Sequence, residues 1–153
     1  MSKTPRKIMA IASGGGHWVQ MRRLKPAFAG AEVCYVSTDP SSAGDVPGQR
    51  YYAVHNVSRR DRLGFALLAA QLLRILVRER PDVVITTGAA PGFVALVMAK
   101  TLLRARTVWI DSVANAEKLS SSGAQAGKVA DVWLTQWEHL ARPDGPQYWG
   151  AVL

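Results

Sequence analysis

The sequence holds one cysteine, three histidines and no apolar run long enough to cross a bilayer, and each shortage excludes a class of protein. Cys34, in the stretch AEVCYV, has no partner within the chain. A disulfide scaffold is therefore excluded, in agreement with a reducing compartment, and Cys34 reads as a small buried hydrophobe rather than a catalytic thiol. His17, His55 and His139 stand too far apart for metal-ligand spacing, so no metal site is expected. The basic start MSKTPRK leads into only five apolar residues, IMAIA, before polar SGGG. A signal peptide's apolar core takes roughly 7–15 residues and a spanning helix ~20. Acidic residues are scarce as well: 11 against 19 Lys plus Arg leave a formal charge of +8. Such an excess suits a polyanionic partner, whether nucleic acid, phosphorylated ligand or anionic membrane. For nucleic acid there are no zinc ligands, no recognition motif and no interleaved aromatic and basic residues, so none is expected.

What is present is an ordinary globular composition, 48% hydrophobic and 20% charged over 153 residues, the size of one domain. Residues 1–153 are read as that single domain, with 1–6 expected to be disordered. Short apolar runs alternate with helical patterns. Strands are expected at Lys7–Ala12, Glu32–Ser37, Arg50–His55, Asp82–Thr86, Thr107–Asp111 and Asp131–Thr135. Helices are expected at His17–Ala29, Arg60–Arg78 and from Phe93 to about Leu103, with a loop at Thr38–Gln49. Strand and helix in alternation predict an α/β fold, a Rossmann-like parallel sheet with helices on both faces. In such sheets ligands gather at the loops leaving the carboxyl ends of the strands.

Three of those loops carry chemistry. Ser13-Gly14-Gly15-Gly16-His17 follows the first strand and opens a helix, where free N–H groups and the helix dipole favour an anion. A plain tight turn is the alternative, but three consecutive glycines exceed what a turn needs. The dinucleotide fingerprint G-x-G-x-x-G fits Gly14 and Gly16, with Asp39 as the following acid, yet Val19 stands where the third glycine belongs. Thr86-Thr87-Gly88-Ala89-Ala90-Pro91-Gly92 follows the fourth strand; alone it reads as a turn, and beside the first loop it suits the second phosphate of a diphosphate. Trp109-Ile110-Asp111-Ser112 ends the fifth strand, where Asp111 is either a cap-like residue or a site acid. His17, with an ordinary pKa of ~6.5, is a candidate general base or a hydrogen-bonding residue.

Arg59, Arg60 and Arg62 precede LGFALLAAQLL, and Arg74, Arg78 and Arg80 follow within the same helical stretch. Arg60, Gly64, Leu67, Gln71, Arg74 and Arg78 fall along one rough stripe. A basic and strongly apolar helix of this kind lies on an anionic bilayer or packs in the core with a solvated edge.

Taken in order, SGGGH, TTGAAPG, WIDS, KLSSSG, VADVWLTQWEHL and QYWGAVL resemble the asparagine-linked-glycosylation-fourteen-like proteins, including their bacterial PssD-type members. The likeness runs from about Lys7 to Leu153. It implies the acceptor-binding, membrane-docking half of a two-component inverting glycosyltransferase, similar to the N-terminal half of MurG-type GT-B enzymes. Such an enzyme transfers a sugar from a nucleotide sugar to a polyprenyl-diphosphate-linked saccharide in exopolysaccharide or lipid-linked oligosaccharide synthesis.

By that resemblance, Ser13, Gly14, Gly15, Gly16, His17, Thr87, Gly88 and Gly92 face the acceptor diphosphate. His17 becomes the candidate base, and Asp111 a candidate catalytic acid standing where the family has Glu. Arg59, Arg60, Arg62, Arg74 and Arg78 dock on the anionic membrane, at the inner face of the cytoplasmic membrane. Trp137, Tyr148 and Trp149 meet a separate donor-binding subunit, which holds the UDP-linked sugar; Trp133 reads equally well as core. No cofactor or metal is implied. Eukaryotic members carry an N-terminal membrane helix where this chain has MSKTPRK, which favours a bacterial-type member docking peripherally. One domain where the architecture needs two implies a subunit that is inactive alone.

Overall fold

A computed structural model describes residues 4–152. Seven parallel strands form one sheet in the order β3-β2-β1-β4-β5-β6-β7. They are β1 Lys7–Ala12, β2 Glu32–Ser37, β3 Arg50–Ala53, β4 Val83–Thr86, β5 Arg106–Ile110, β6 Val132–Thr135 and β7 Gln147–Tyr148. The expected Rossmann-like sheet is thus present. β1 pairs with β2 on one side and β4 on the other, Ile8 lying opposite both Val33 and Val83. Strand order reverses between β1 and β4, and that reversal opens the crevice where open α/β sheets bind ligands.

The helices are α1 Gly16–Arg23, α2 Arg62–Glu79, α3 Ala89–Met98 and α4 Ser121–Ala126. On one sheet face, Leu68, Leu72 and Leu76 of α2 and Ala95 and Leu96 of α3 bury against Met9, Ile11, Val84 and Trp109. On the other, Trp18 and Met21 of α1 pack with Ala10, Val33, Tyr35 and Phe28. Trp18 meets Tyr35 and Tyr51 edge-on and donates through Nε1 to Asp45, 2.9 Å away. The bulky pair His17-Trp18 is therefore divided, one ring to the crevice and one to the core. Cys34 is buried, and burial pushes its thiol up to about 12, as expected of an inert thiol.

Beyond shifts of one or two residues, as where β3 ends at Ala53 rather than His55 and α2 begins at Arg62 rather than Arg60, three stretches differ from expectation for local reasons. The first helix stops at Arg23 rather than Ala29, and Lys25–Phe28 continues as a 3-10 turn. Pro26 supplies no N–H and its ring opposes the carbonyl four residues back. α3 begins at Ala89, four residues before the expected Phe93, because Pro91 is harmless in a first turn whose N–H groups lack helical partners. The expected loop at Thr38–Gln49 contains a 3-10 turn, Pro40–Asp45, capped by Asp39. α4 and β7, six and two residues long, are too short to show as patterns in the sequence.

Candidate functional site

The two glycine loops meet. After β1 the chain turns through Gly15 at φ 69° into α1, which starts without a side-chain cap. After β4 it turns through Gly88 at φ 131° into α3, also uncapped. Thr87 donates from Oγ1 to the His17 carbonyl at 2.7 Å and locks one loop to the other. A Cβ on Gly88 would lie 2.8 Å from Cδ2 and 2.9 Å from Nε2 of His17, closer than real Cβ contacts come. Glycine at 88 is thus required by the imidazole as well as by the backbone. Gly92 faces Thr86, where a Cβ would stand 2.0 Å from Oγ1. That hydroxyl accepts from the Gly88 N–H at 3.1 Å and braces the turn.

His17 Nδ1 is 2.9 Å from the Ser13 hydroxyl oxygen, and Nε2 turns toward Gly88. For Nε2 to take a proton, Nδ1 must carry the hydrogen and Ser13 must accept it. Burial lowers the imidazole pKa below its ordinary value, opposed by the negative charge of Asp111. The neutral ring a base requires is therefore the favoured form at neutral pH.

A cleft of about 300 Å³ opens beside this ring, lined by His17, Arg59, Ala89, Ala90, Ser112, Asn115 and Ser120–Ser122 among others. Its volume is at the small end for ligand sites. Arg59 donates to Ser121 Oγ at 3.2 Å across the mouth. Among the described residues, no acidic side chain lines the cleft. Ala89, at its wall, holds φ 69°, a conformation that costs a non-glycine residue about 1–3 kcal/mol and clusters at functional sites. Uncapped helix starts, one guanidinium and a row of hydroxyls form a surroundings suited to an anion.

Asp111 sits behind this wall, only 1% exposed. Its carboxylate accepts from Trp109 Nε1 (3.1 Å), Ser120 Oγ (2.6 Å), the Ser120 N–H (3.1 Å) and Asn115 Nδ2 (3.1 Å). With its acceptor positions filled, Asp111 ties the loop after β5 to the start of α4. Of the two roles open in the sequence, this geometry favours the structural one: it acts on His17 through charge, not contact. Gly123 lets α4 approach, since a Cβ there would lie 2.2 Å from Asp111 Oδ1.

Asp39, the acid of the dinucleotide pattern, accepts from both the N–H and the hydroxyl of Ser41, at 2.9 and 2.7 Å. It caps the turn there. With Val at position 19, the dinucleotide pattern has neither its third glycine nor a free acid.

Among known proteins, a family model described as "Oligosaccharide biosynthesis protein Alg14 like" matches residues 53–152. The chain belongs to the Alg14-like family. It is 28% identical over 182 residues to the UDP-N-acetylglucosamine transferase subunit ALG14 of Eremothecium gossypii, covering 97% of this chain and 80% of that protein. The human subunit of the same name is 25% identical, over 92% of this chain and 81% of its own. In structure, the chain superposes on MurG of Acinetobacter baumannii with a TM-score of 0.71 and 16% identity, over 93% of this chain but 44% of that enzyme. The chain thus spans less than half of this structural relative, and the likeness carries the fold, that of a GT-B half.

The other expected residues fall in two further places. Arg59 lines the cleft, while Arg60, Arg62, Arg74 and Arg78 are exposed on or beside α2. The stripe read from the sequence is not exposed throughout, because Gly64 is buried against Asp61 and Gln71 accepts from the His55 N–H. The exposed apolar side chains of α2 are Leu63, Leu67, Leu73 and Val77, 85%, 47%, 42% and 52% exposed, of which Leu67 belongs to that stripe. Among the described residues, no helix is long and apolar enough to cross a membrane. Nor does any cluster of three or more His, Cys, Asp or Glu side chains there suit a metal.

Of the aromatic residues, Tyr148 on the edge strand β7 and Trp149 just after it are exposed. Trp137 is half-buried and donates through Nε1 to the Val113 carbonyl at 2.7 Å. Trp133 packs on Gly127 and donates to the Gly123 carbonyl, the core reading. Sequence reasoning missed two buried glutamines, Gln20 and Gln136, which join α1, the loop after β5 and the loop after β6. A glutamine inside a helix, as Gln20 is, or just after a strand, as Gln136 is, carries no sequence signal separating a buried linker from a solvated side chain.

Proposed function

We propose that this chain is the acceptor-binding and membrane-docking subunit of a two-component glycosyltransferase, working with a separate donor-binding subunit. The reaction is transfer of a sugar from a UDP-linked donor, held mainly by the partner, to a polyprenyl-diphosphate-linked saccharide. The observation that carries this reading is the meeting of the two glycine loops beside one cleft, with His17, Ala89 and Ala90 in its wall and Arg59 across it. The matched relatives are named as subunits of a UDP-N-acetylglucosamine transferase, which supports both the activity and the need for a partner.

In this mechanism, the starts of α1 and α3 and the Arg59 guanidinium hold the acceptor diphosphate. His17 takes the proton of the attacking acceptor hydroxyl through Nε2, while Ser13 fixes the ring through Nδ1. Transfer to a lipid places the cleft near a bilayer. The outward leucines of α2, flanked by Arg60, Arg62, Arg74 and Arg78, supply an apolar face and cations for an anionic surface. The corresponding place is the inner face of the cytoplasmic membrane, in exopolysaccharide or lipid-linked oligosaccharide synthesis. Tyr148, Trp149 and the exposed part of Trp137 meet the partner.

Co-purification of the tagged chain from its host, with mass identification, isolates the partner. The pair is then incubated with UDP-N-acetylglucosamine and a polyprenyl-diphosphate-linked acceptor. Transfer is expected only with both subunits present and falls about 10²–10⁴-fold in His17→Ala. No partner at any salt, or tight NAD(P) binding by the chain alone, overturns the reading.

A further inference from the structure

The C-terminal segment is fastened to the cleft by Gln136. This side chain, 4% exposed, follows β6 directly. Its Oε1 accepts from the Val152 N–H at 2.7 Å. Its Nε2 donates to Gln20 Oε1 at 2.6 Å and to the Asp111 carbonyl at 2.9 Å. Gln20, 5% exposed and one helical turn beyond His17, donates from Nε2 to Ser112 Oγ at 3.0 Å and accepts from the Val113 N–H at 3.2 Å. Ser112 lines the cleft. Two buried amides thus use their donors and acceptors in one chain of hydrogen bonds. It starts at a backbone amide near the C-terminus and ends on the wall facing His17. Such buried networks hold a single geometry when every member is satisfied, and each depends on its neighbours.

We propose that Gln136 and Gln20 are positioning residues that hold Ser112 and the start of α1 in the cleft, with the segment carrying Tyr148 and Trp149 as their outer support. Between Gln136 and Val152 the chain makes the loop that includes β7, so pressure on the β7 edge bears on this clip. A subunit seated there tightens the cleft; that response rests on the heteromer proposed above, whereas the clip itself is intramolecular.

Val152→Pro tests the clip, because proline removes the backbone N–H that Gln136 accepts from and leaves both glutamines in place. Gln136→Met, close in shape and without hydrogen-bonding groups, severs the centre. In the full chain, hydrogen exchange of amides 112–120 is expected to quicken about fivefold in Val152→Pro, the scale of one hydrogen bond, and more in Gln136→Met. Amides of β1 and β4 should keep their protection, and the NMR titration midpoint of His17 should move. Affinity for inorganic pyrophosphate, the probe for the cleft, should weaken by a similar factor. Wild-type exchange at 112–120 together with an unmoved His17 midpoint in Val152→Pro overturns the proposal. Should Gln136→Met not fold, Val152→Pro decides alone. If wild-type protein binds no pyrophosphate, the anion-binding reading falls, and the exchange and titration results still judge the clip.

Discussion

Gly88→Ala is the substitution on which the site geometry stakes most. The new Cβ would lie 2.8 and 2.9 Å from two ring atoms of His17, at a backbone φ of 131° that side chains other than glycine rarely adopt. The backbone strain alone amounts to about 1–3 kcal/mol. Relief of the clash requires the imidazole to swing away from Ser13, which forfeits a hydrogen bond contributing about 1 kcal/mol. The sum is about 2–4 kcal/mol, a large share of the 5–15 kcal/mol typical of a domain. For a chain of this length it corresponds to a Tm lowered by about 5–15 °C. Urea unfolding of wild type, Gly88→Ala, His17→Ala and the double variant separates the parts. The backbone strain persists without the ring, while the clash disappears with it. The double variant should therefore recover about 1 kcal/mol relative to the sum of the singles. Equal stability of Gly88→Ala and wild type, or strict additivity, would refute the contact between the loops.

Other expected outcomes follow from the same geometry. The His17 pKa is lowered in the fold, chiefly by burial, so the unfolded chain binds the proton more readily. Its stabilising contribution is whole above the ordinary value of ~6.5 and is lost as pH falls through that value to the folded one. Stability curves of wild type and His17→Gln should accordingly diverge below that pH and run parallel above it. Asp111→Asn turns an amide toward groups that already donate, and is expected to cost about 2–3 kcal/mol by denaturant titration. A cost under 0.5 kcal/mol would show that the carboxylate does not hold the loop. Leu67→Glu, on the outward stripe of α2, should weaken binding to vesicles containing anionic lipid by about tenfold or more, with Tm within a degree or two of wild type. Equal vesicle binding would remove the docking face from α2.

The alternation of VVIT-like runs with helical stretches determined a parallel α/β sheet, because buried strands and covering helices differ in the period at which apolar residues recur. The glycine loops were legible for a related reason: SGGGH and TTGAAPG sit directly after strands, and in this topology strand ends converge at the crevice. Their order and wording also sufficed for the family. Which loop residues share the cleft was decided only in three dimensions. Arg59, read from its neighbours as part of a basic helix, turns to Ser121 because the chain from β3 enters α2 across the start of α4. Asp111 had two readings of equal standing in the sequence, and the four donors around its carboxylate are visible only in the fold. The outward face of α2 differed from the stripe read along its sequence, since Gly64 packs against its own cap, Asp61. The glutamine clip was invisible, because Gln20 and Gln136 are 116 residues apart and meet only when α1 and the end of β6 fold over one loop. Periodicity is a local property and is written along the chain. A cleft is made where distant segments meet, and their packing alone decides which side chains face it.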